Sequence, residues 1–145
     1  MILAQVNKSK QIDALIDSWI YSYKNRDLAK FRSLLSTSET HVSWGTGGDE
    51  RYVGISNYIE RVQRDFAQSE AADLVLLNSY KVIHDKFSWA AVEIEPIITI
   101  AGEAHKLPVL RGTFVFAHEN GKWVIEHCHG SWPYPEQKEG DSFSS

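Results

Sequence analysis

The chain has 145 residues, of which 43% are hydrophobic, 12% aromatic and 23% charged, and its net charge is −4. This length fits one domain, and the apolar content excludes an intrinsically disordered chain. No run of Lys or Arg exceeds two residues, so the composition predicts neither a nucleic-acid partner nor a membrane surface. The single cysteine, Cys128, excludes an internal disulfide, and without a recognisable secretion signal we expect a cytoplasmic protein.

Helical spacing dominates the first half of the chain. Apolar residues at intervals of three and four predict an amphipathic helix over about residues 8–25. Asp27 is a favourable N-cap for a short second helix. A short strand over residues 41–44 then ends at the glycine-rich segment Gly45–Gly48. Helical spacing resumes after Gly54 and continues to about Ser69.

From Asp73 to Trp132 the pattern changes to long strands joined by short turns. We predict strands over about residues 73–84, 87–101, 105–118 and 122–132. Helices followed by consecutive strands indicate an α+β fold with an antiparallel meander. Residues 1–133 are expected to form a single domain, and residues 134–145, rich in Pro, Glu, Gly and Ser, a mobile tail.

Two registers are open for the hairpin at Asn120-Gly121. A three-residue loop with a bulge at its glycine places Arg111 opposite His129 and Thr113 opposite His127. A two-residue turn shifts the pairing by one residue and separates Arg111 from His129. We favour the bulged register because it gathers polar residues on one face, namely Arg111, Thr113, His127, His129 and Ser131.

These polar residues predict the lining of a ligand pocket. Arg111 is suited to hold a carboxylate or an enolate-like oxygen, and His129 to transfer a proton near neutral pH. Two alternatives stay open. In one, Arg111 pairs with Glu93 or Glu95 and has a structural role; in the other, this face packs on a second subunit.

The candidate metal and nucleotide motifs are weak. His127 and His129 have a spacing that zinc sites use, but no third ligand is evident, so we predict no metal and no other cofactor. The Gly45–Gly48 loop is not a dinucleotide fingerprint, because Glu50 stands where the third glycine is needed. The many aromatic residues, Trp44 and Tyr58 among them, favour a flat, largely apolar ligand or a dimer interface.

Two segments resemble the nuclear transport factor 2-like (NTF2-like) superfamily, which includes ketosteroid isomerase-like and SnoaL-like proteins. The first is WGTGGDERYVG over residues 44–54; the second is RGT at 111–113 followed by GKWVIEHCHGS at 121–131. The element order over residues 8–133 is also similar. The resemblance implies a cystatin-like fold: a strongly curved, cone-shaped antiparallel sheet whose three helices close over an apolar pocket. It also implies that Glu50 or Thr46 projects into the mouth of the cone.

The resemblance implies several possible activities, because the superfamily includes isomerases, dehydratases, hydrolases, cyclases and non-catalytic modules. Steroid isomerase chemistry is disfavoured, since Trp19 and Gly45 occupy the positions of the required tyrosine and base. We predict a protein that binds a small, largely apolar ligand. If it is an enzyme, it transfers a proton on a small carbonyl compound, as an isomerase, lyase or hydrolase. The alternative is a non-catalytic oligomerisation or binding module.

A homodimer is the predicted assembly. One face of the last two strands carries a set of apolar side chains, namely Phe114, Phe116, Val124 and Trp132. The three helices cannot cover both faces of the sheet. A two-fold contact through the outer face of the sheet would bury this set.

Overall fold

The computed structural model describes residues 2–143. Its helices are α1 (Ile2–Lys24), α2 (Leu28–Ser33) and α3 (Ile55–Ala67). Its strands are β1 (Val42–Trp44), β2 (Arg51–Val53), β3 (Ala71–Val82), β4 (Phe87–Ile100), β5 (Glu103–Lys106), β6 (Leu110–Glu119) and β7 (Lys122–Ser131). They form one curved sheet in the order β2-β1-β7-β6-β4-β3, with β5 on β4. Within residues 2–143, no helix has the length and apolar character needed to span a membrane.

The three predicted helices are confirmed, with shifted ends. α1 begins at Ile2, upstream of the predicted start, and its apolar stripe enters the core through Ile12, Ile16 and Trp19. Asp27 caps α2 as predicted, because its Oδ1 accepts a hydrogen bond from Lys30 N at 2.9 Å. The α+β fold with a curved sheet is likewise confirmed, and its neighbouring strands pair antiparallel except that β1 runs parallel to β7.

The prediction of one continuous strand over residues 105–118 is wrong, because two strands occupy that region. β5 pairs with the end of β4, from Ile97 to Ile100, and β6 pairs with its first part, from Phe87 to Ile94. Pro96 and Pro108 lie at the break and cannot donate to a ladder. Strand β2 was not predicted, because three residues are too few for an alternating pattern.

The favoured hairpin register is wrong. Glu119 pairs with Lys122 across a two-residue turn, and Asn120 and Gly121 have φ of 49° and 79°, as a type I′ turn requires. Further along, the register shifts by one residue, so that Glu126 is the extra residue of a β-bulge.

The bulge decides which residues share a face. Arg111 pairs with Ser131, and Thr113 pairs with His129, so the polar residues remain on one face in a different pairing. That face lies opposite the helices. The helix-facing side instead carries Phe114, whose ring centroid lies 5.2 Å from that of Trp19. The predicted polar set therefore shares one face, but it is the outer face. Of the predicted apolar set, Phe114 and Phe116 face the helices, whereas Val124 pairs with Ala117 and lies on the opposite side of the sheet.

This placement of the apolar side chains removes the stated reason for a dimer. Phe114 and Phe116 belong to the core, and Val124 is also buried within the chain. These side chains need no second subunit to cover them. The predicted tail is described as far as residue 143; after Ser131 these residues form turns without a helix or strand and are mostly exposed. Ser144 and Ser145 lie outside the described residues.

Candidate functional site

A cavity of about 240 Å³ lies between the concave face of the sheet and the helices. Its walls are mostly apolar: β3, β4 and β6 contribute Leu74, Val92, Ile94, Pro96 and Phe114, and the segment between β5 and β6 contributes Leu107. Aromatic side chains from α1, α3 and the β1–β2 hairpin complete it. An apolar enclosure with few polar groups is typical of a small-molecule site.

Asp65 on α3 is a half-buried carboxylate at the cavity. The hydroxyl of Tyr23 on α1 donates to its Oδ2 at 3.3 Å. Burial, followed by the charge of Glu50, raises the pKa of Asp65 to about 6, although Tyr23, Arg64 and Arg61 oppose the shift. Burial also holds the pKa of Tyr23 well above its usual value, so its hydroxyl keeps its proton. The pair presents a carboxyl group that titrates near neutral pH.

Glu50 is the second carboxylate, and it is held at the mouth of the cavity. Arg64 Nη2 lies 3.2 Å from its Oε1, and Gly47 N donates to its Oε2 at 3.1 Å. The loop closes tightly, because Gly45 N donates to the Glu50 carbonyl oxygen at 2.8 Å. A Cβ atom on Gly45 would lie 2.1 Å from Glu50 Oε2. Only glycine fits this close approach.

A buried polar chain leads away from the cavity wall. The Tyr58 hydroxyl lies 3.0 Å from Cys128 Sγ, and Cys128 N donates to Ser43 Oγ at 3.0 Å. His41 Nε2 lies 2.9 Å from the same Oγ and its Nδ1 lies 3.3 Å from Ser36 Oγ. Burial raises the pKa of Cys128 and lowers that of His41. Both groups are therefore neutral and serve to hold Tyr58 in place.

Four of the predicted ligand-binding residues border the cavity: Trp44, Thr46, Glu50 and Tyr58. Thr113 and His129 touch it as well, but both are exposed and also border a depression on the outer face of the sheet. The imidazole of His129 lies beside the Trp44 ring, with 5.7 Å between centroids. His129 thus lies at the rim of the cavity.

Arg111, His127 and Ser131 do not border the cavity. Arg111 is exposed on the outer face, and its Nη2 donates to the Trp132 carbonyl oxygen at 3.5 Å. Neither predicted ion-pair partner holds it: Glu93 Oε1 accepts from Asn78 at 3.3 Å, and Glu95 Oε2 lies 3.1 Å from Lys106 Nζ.

His127 makes a structural contact. Its Nδ1 bonds the Val42 carbonyl oxygen of β1. Across residues 2–143, no three His, Cys, Asp or Glu side chains come close enough to hold a metal ion.

The sequence reasoning missed Asp65 and its partner Tyr23 as site residues. A signal was present, because Asp65 follows Tyr58 by seven positions and Val62 by three. Helical periodicity places these residues on one face, and Tyr58 and Val62 are buried. A carboxylate on the apolar face of a helix is a candidate functional group.

Solved structures share this fold at low sequence identity. An NTF2-like superfamily protein from Salmonella enterica has TM-score 0.80 and 18% identity, covering 92% of this chain and 96% of that one. A protein of the NTF2-like family from Streptomyces avermitilis, provisionally described as a dehydratase, has TM-score 0.78 and 13% identity, with coverages of 88% and 97%. One from Xanthomonas campestris, provisionally described as a calcium/calmodulin-dependent protein kinase II association domain, has TM-score 0.73 and 21% identity, with both coverages 86%.

The sequence itself identifies the family. No curated protein matches the chain. The SnoaL-like domain family matches residues 12–135, a span that contains every residue of the cavity wall. The chain therefore belongs to the SnoaL-like domain family.

Proposed function

We propose that the chain binds a small, largely apolar carbonyl compound in the concave cavity and moves a proton on it, as an isomerase or lyase does. The observation that carries this proposal is Asp65, a carboxyl group in an apolar enclosure whose pKa is raised to about 6. Such a group is mostly ionised at pH 7 and is a stronger base than an ordinary aspartate. The solved structure provisionally described as a dehydratase supports the same class of reaction.

The proposed step starts from the Asp65 carboxylate. It removes a proton from the carbon next to the carbonyl group, and the electron pair of that C–H bond forms a C=C bond. The carbonyl π pair moves to its oxygen, giving an enolate. If the substrate has a β,γ double bond, the enolate is a dienolate, and return of the proton from Asp65 to the γ carbon moves the double bond into conjugation and gives the isomer. If the substrate has a β-hydroxyl group, the enolate re-forms the carbonyl and expels that group, protonated by Asp65, giving an α,β-unsaturated carbonyl compound and water. Tyr23 positions the carboxylate through its 3.3 Å hydrogen bond.

Arg111 has no direct part in this proposal, because it is exposed on the outer face. His129, at the cavity rim, remains a candidate for exchanging the proton with solvent. The alternative function is a non-catalytic binding or oligomerisation module, which the association-domain neighbour supports. The open space of about 240 Å³ favours ligand binding over a vestigial, filled pocket.

The test uses 2-acetylnaphthalene, a flat apolar ketone with exchangeable methyl protons. NMR in D₂O measures both its binding, from shifts of cavity residues such as Phe114, and the loss of its methyl proton signal. We expect the protein to accelerate exchange above the buffer rate. Asp65→Asn should remove the acceleration, whereas Asp17→Asn, on the exposed side of α1, should keep it.

Each outcome decides between the candidates. Exchange that depends on Asp65 and rises as the pH passes about 6, the pKa of this group, supports proton transfer. Binding without exchange contradicts catalysis and supports the non-catalytic module. If the ketone does not bind, the cavity is not a site for ligands of this class.

A further inference from the structure

The cavity is lined by negative charge and aromatic rings. Among its described lining residues are two carboxylates, Glu50 and Asp65, and no Lys or Arg. Seven aromatic side chains share the wall: Trp19, Tyr23, Trp44, Tyr52, Tyr58, Phe114 and Trp132. His129, at the exposed rim, is the one basic side chain among them. The wall therefore carries negative charge, whereas a site for an anionic ligand would be expected to carry positive charge.

The two carboxylates differ in how their charge is balanced. Glu50 has the guanidinium of Arg64 at 3.2 Å. Arg64 also lies 2.6 Å from Asp49, which Arg61 contacts at 3.0 Å, so both arginines are engaged outside the cavity. Across residues 2–143, no cationic side chain lies within 4.0 Å of the Asp65 carboxylate. Its one side-chain donor is the neutral hydroxyl of Tyr23.

Two neighbouring aromatic rings of the cavity wall lie on the Tyr23 side of this unbalanced carboxylate. The ring of Tyr23, whose hydroxyl bonds Asp65, lies 5.0 Å from that of Trp19, measured between centroids. The faces of aromatic rings carry negative potential and attract cations, most strongly where water is excluded. A carboxylate in apolar surroundings is also stabilised by a cation that replaces lost water.

Resting on the proposed function, we propose that the ligand of this cavity carries a protonated amine on its apolar body and that the ammonium group binds beside Asp65, among the rings of Tyr23 and Trp19. The cation would balance the one carboxylate that lacks a cationic partner. It would also favour the ionised form of Asp65, which is the form that accepts a proton, while lowering the pKa and therefore the basicity of the carboxylate. A carboxylate-bearing ligand would meet repulsion from both Asp65 and Glu50.

The test compares three probes with the same naphthalene body: 2-naphthylmethylamine, 2-naphthylmethanol and 2-naphthoic acid. Calorimetry at pH 7 measures each dissociation constant. We expect the amine to bind about tenfold more tightly than the alcohol, as expected for a partly desolvated cation beside a carboxylate and aromatic rings. The acid should bind most weakly. Equal affinities, or tightest binding by the acid, would overturn the proposal.

Variants separate the charge effect from damage to the cavity. Asp65→Asn should remove the preference for the amine and leave alcohol binding within about twofold, so that the alcohol reports an intact cavity. Asp17→Asn should keep the full preference. If Asp65→Asn binds none of the probes, Tyr23→Phe, which keeps the carboxylate, should still prefer the amine; loss of the preference there contradicts the proposal.

The two proposals can fail separately. If 2-acetylnaphthalene binds and exchanges but the amine shows no advantage, the ligand is not cationic while the proposed function stands. If the amine is preferred and the ketone binds without exchange, the cavity is a non-catalytic amine-binding site. Failure of all four probes to bind would overturn both.

Discussion

Asp65 lies at the cavity with charged neighbours on two elements. Glu50 lies in the loop between β1 and β2, and Arg61 and Arg64 precede Asp65 on α3. The Tyr23 hydroxyl approaches from α1. Burial outweighs the two arginines, because their guanidinium groups are bound to Asp49 and Glu50. The ionised form of Asp65 therefore destabilises the folded state relative to the protonated form.

The raised pKa of Asp65 predicts how the stability of the protein depends on pH. Because the folded pKa of about 6 lies above the reference of 3.8, the folded state binds the proton more tightly. The Asp65 contribution to the free energy of unfolding should therefore fall as pH rises from about 4 to 7. Asp65→Asn should be more stable than the unaltered protein at pH 8, by about 1–2 kcal/mol after discounting for partial exposure.

Urea unfolding at pH 5 and pH 8 measures this effect, with Asp17→Asn as the matched control. The difference between Asp65→Asn and the unaltered protein should shrink toward pH 5. A constant difference at both pH values would mean that Asp65 titrates in its ordinary range.

At the scale of elements, the β1–β2 hairpin and its loop position the polar mouth of the cavity. The hairpin pairs Val42 with Val53 and Trp44 with Arg51. Its loop returns so closely that Gly45 contacts the side chains of Glu50 and Tyr52. The mouth geometry therefore depends on the absence of a side chain at one position.

Gly45→Ala tests that dependence. The added methyl group would displace the Glu50 carboxylate and the Tyr52 hydroxyl, because both lie within 3 Å of its position. We expect a loss of about 1–3 kcal/mol in the free energy of unfolding, as for overpacked sites, together with weaker probe binding. Gly48→Ala, in the same loop, has no atom within 4 Å of the new Cβ and should be nearly neutral. Equal effects of the two substitutions would contradict this account.

The β6–β7 hairpin is an element that the sequence predicted only in part. Asn120-Gly121 correctly predicts a turn, and alternation correctly groups Arg111, Thr113 and His129. The bulge at Glu126 carries no local sequence signal, since a bulge adds one residue without requiring a particular type. Which of the two faces meets the helices depends on contacts with Trp19, about a hundred residues earlier in the chain.

For the whole molecule, the outer face of the sheet still favours a homodimer, but for a different reason from the one first given. Neighbouring positions on β3 and β4 expose large apolar side chains: Tyr80 at 61%, Phe87 at 56% and Trp89 at 41%. Trp89 pairs with Val115 and Val82, on the face opposite the helices. Clustered exposed aromatic residues are typical of an interface.

We expect two copies to associate through this patch, and sedimentation equilibrium at micromolar concentration should give twice the 16.5 kDa chain mass. Trp89→Glu should give the single-chain mass, because it places a charge in the contact. Val53→Glu, which alters an exposed apolar residue on β2 (56% exposed), should not. A mass of one chain for the unaltered protein would exclude this dimer.

The sequence by itself determined the three helices and the strand-rich second half, because helical and alternating periodicities are local properties of neighbouring residues. The family followed from the resemblance of two motif segments, residues 44–54 and residues 111–131. It also selected Trp44, Thr46, Glu50 and Tyr58, which border the cavity. Only the tertiary structure decided that Asp65 lies at the cavity and that Arg111 lies outside it. The reason is physical: which face of β6 meets the helices, and whether a carboxylate is buried, depend on elements brought together from distant parts of the chain.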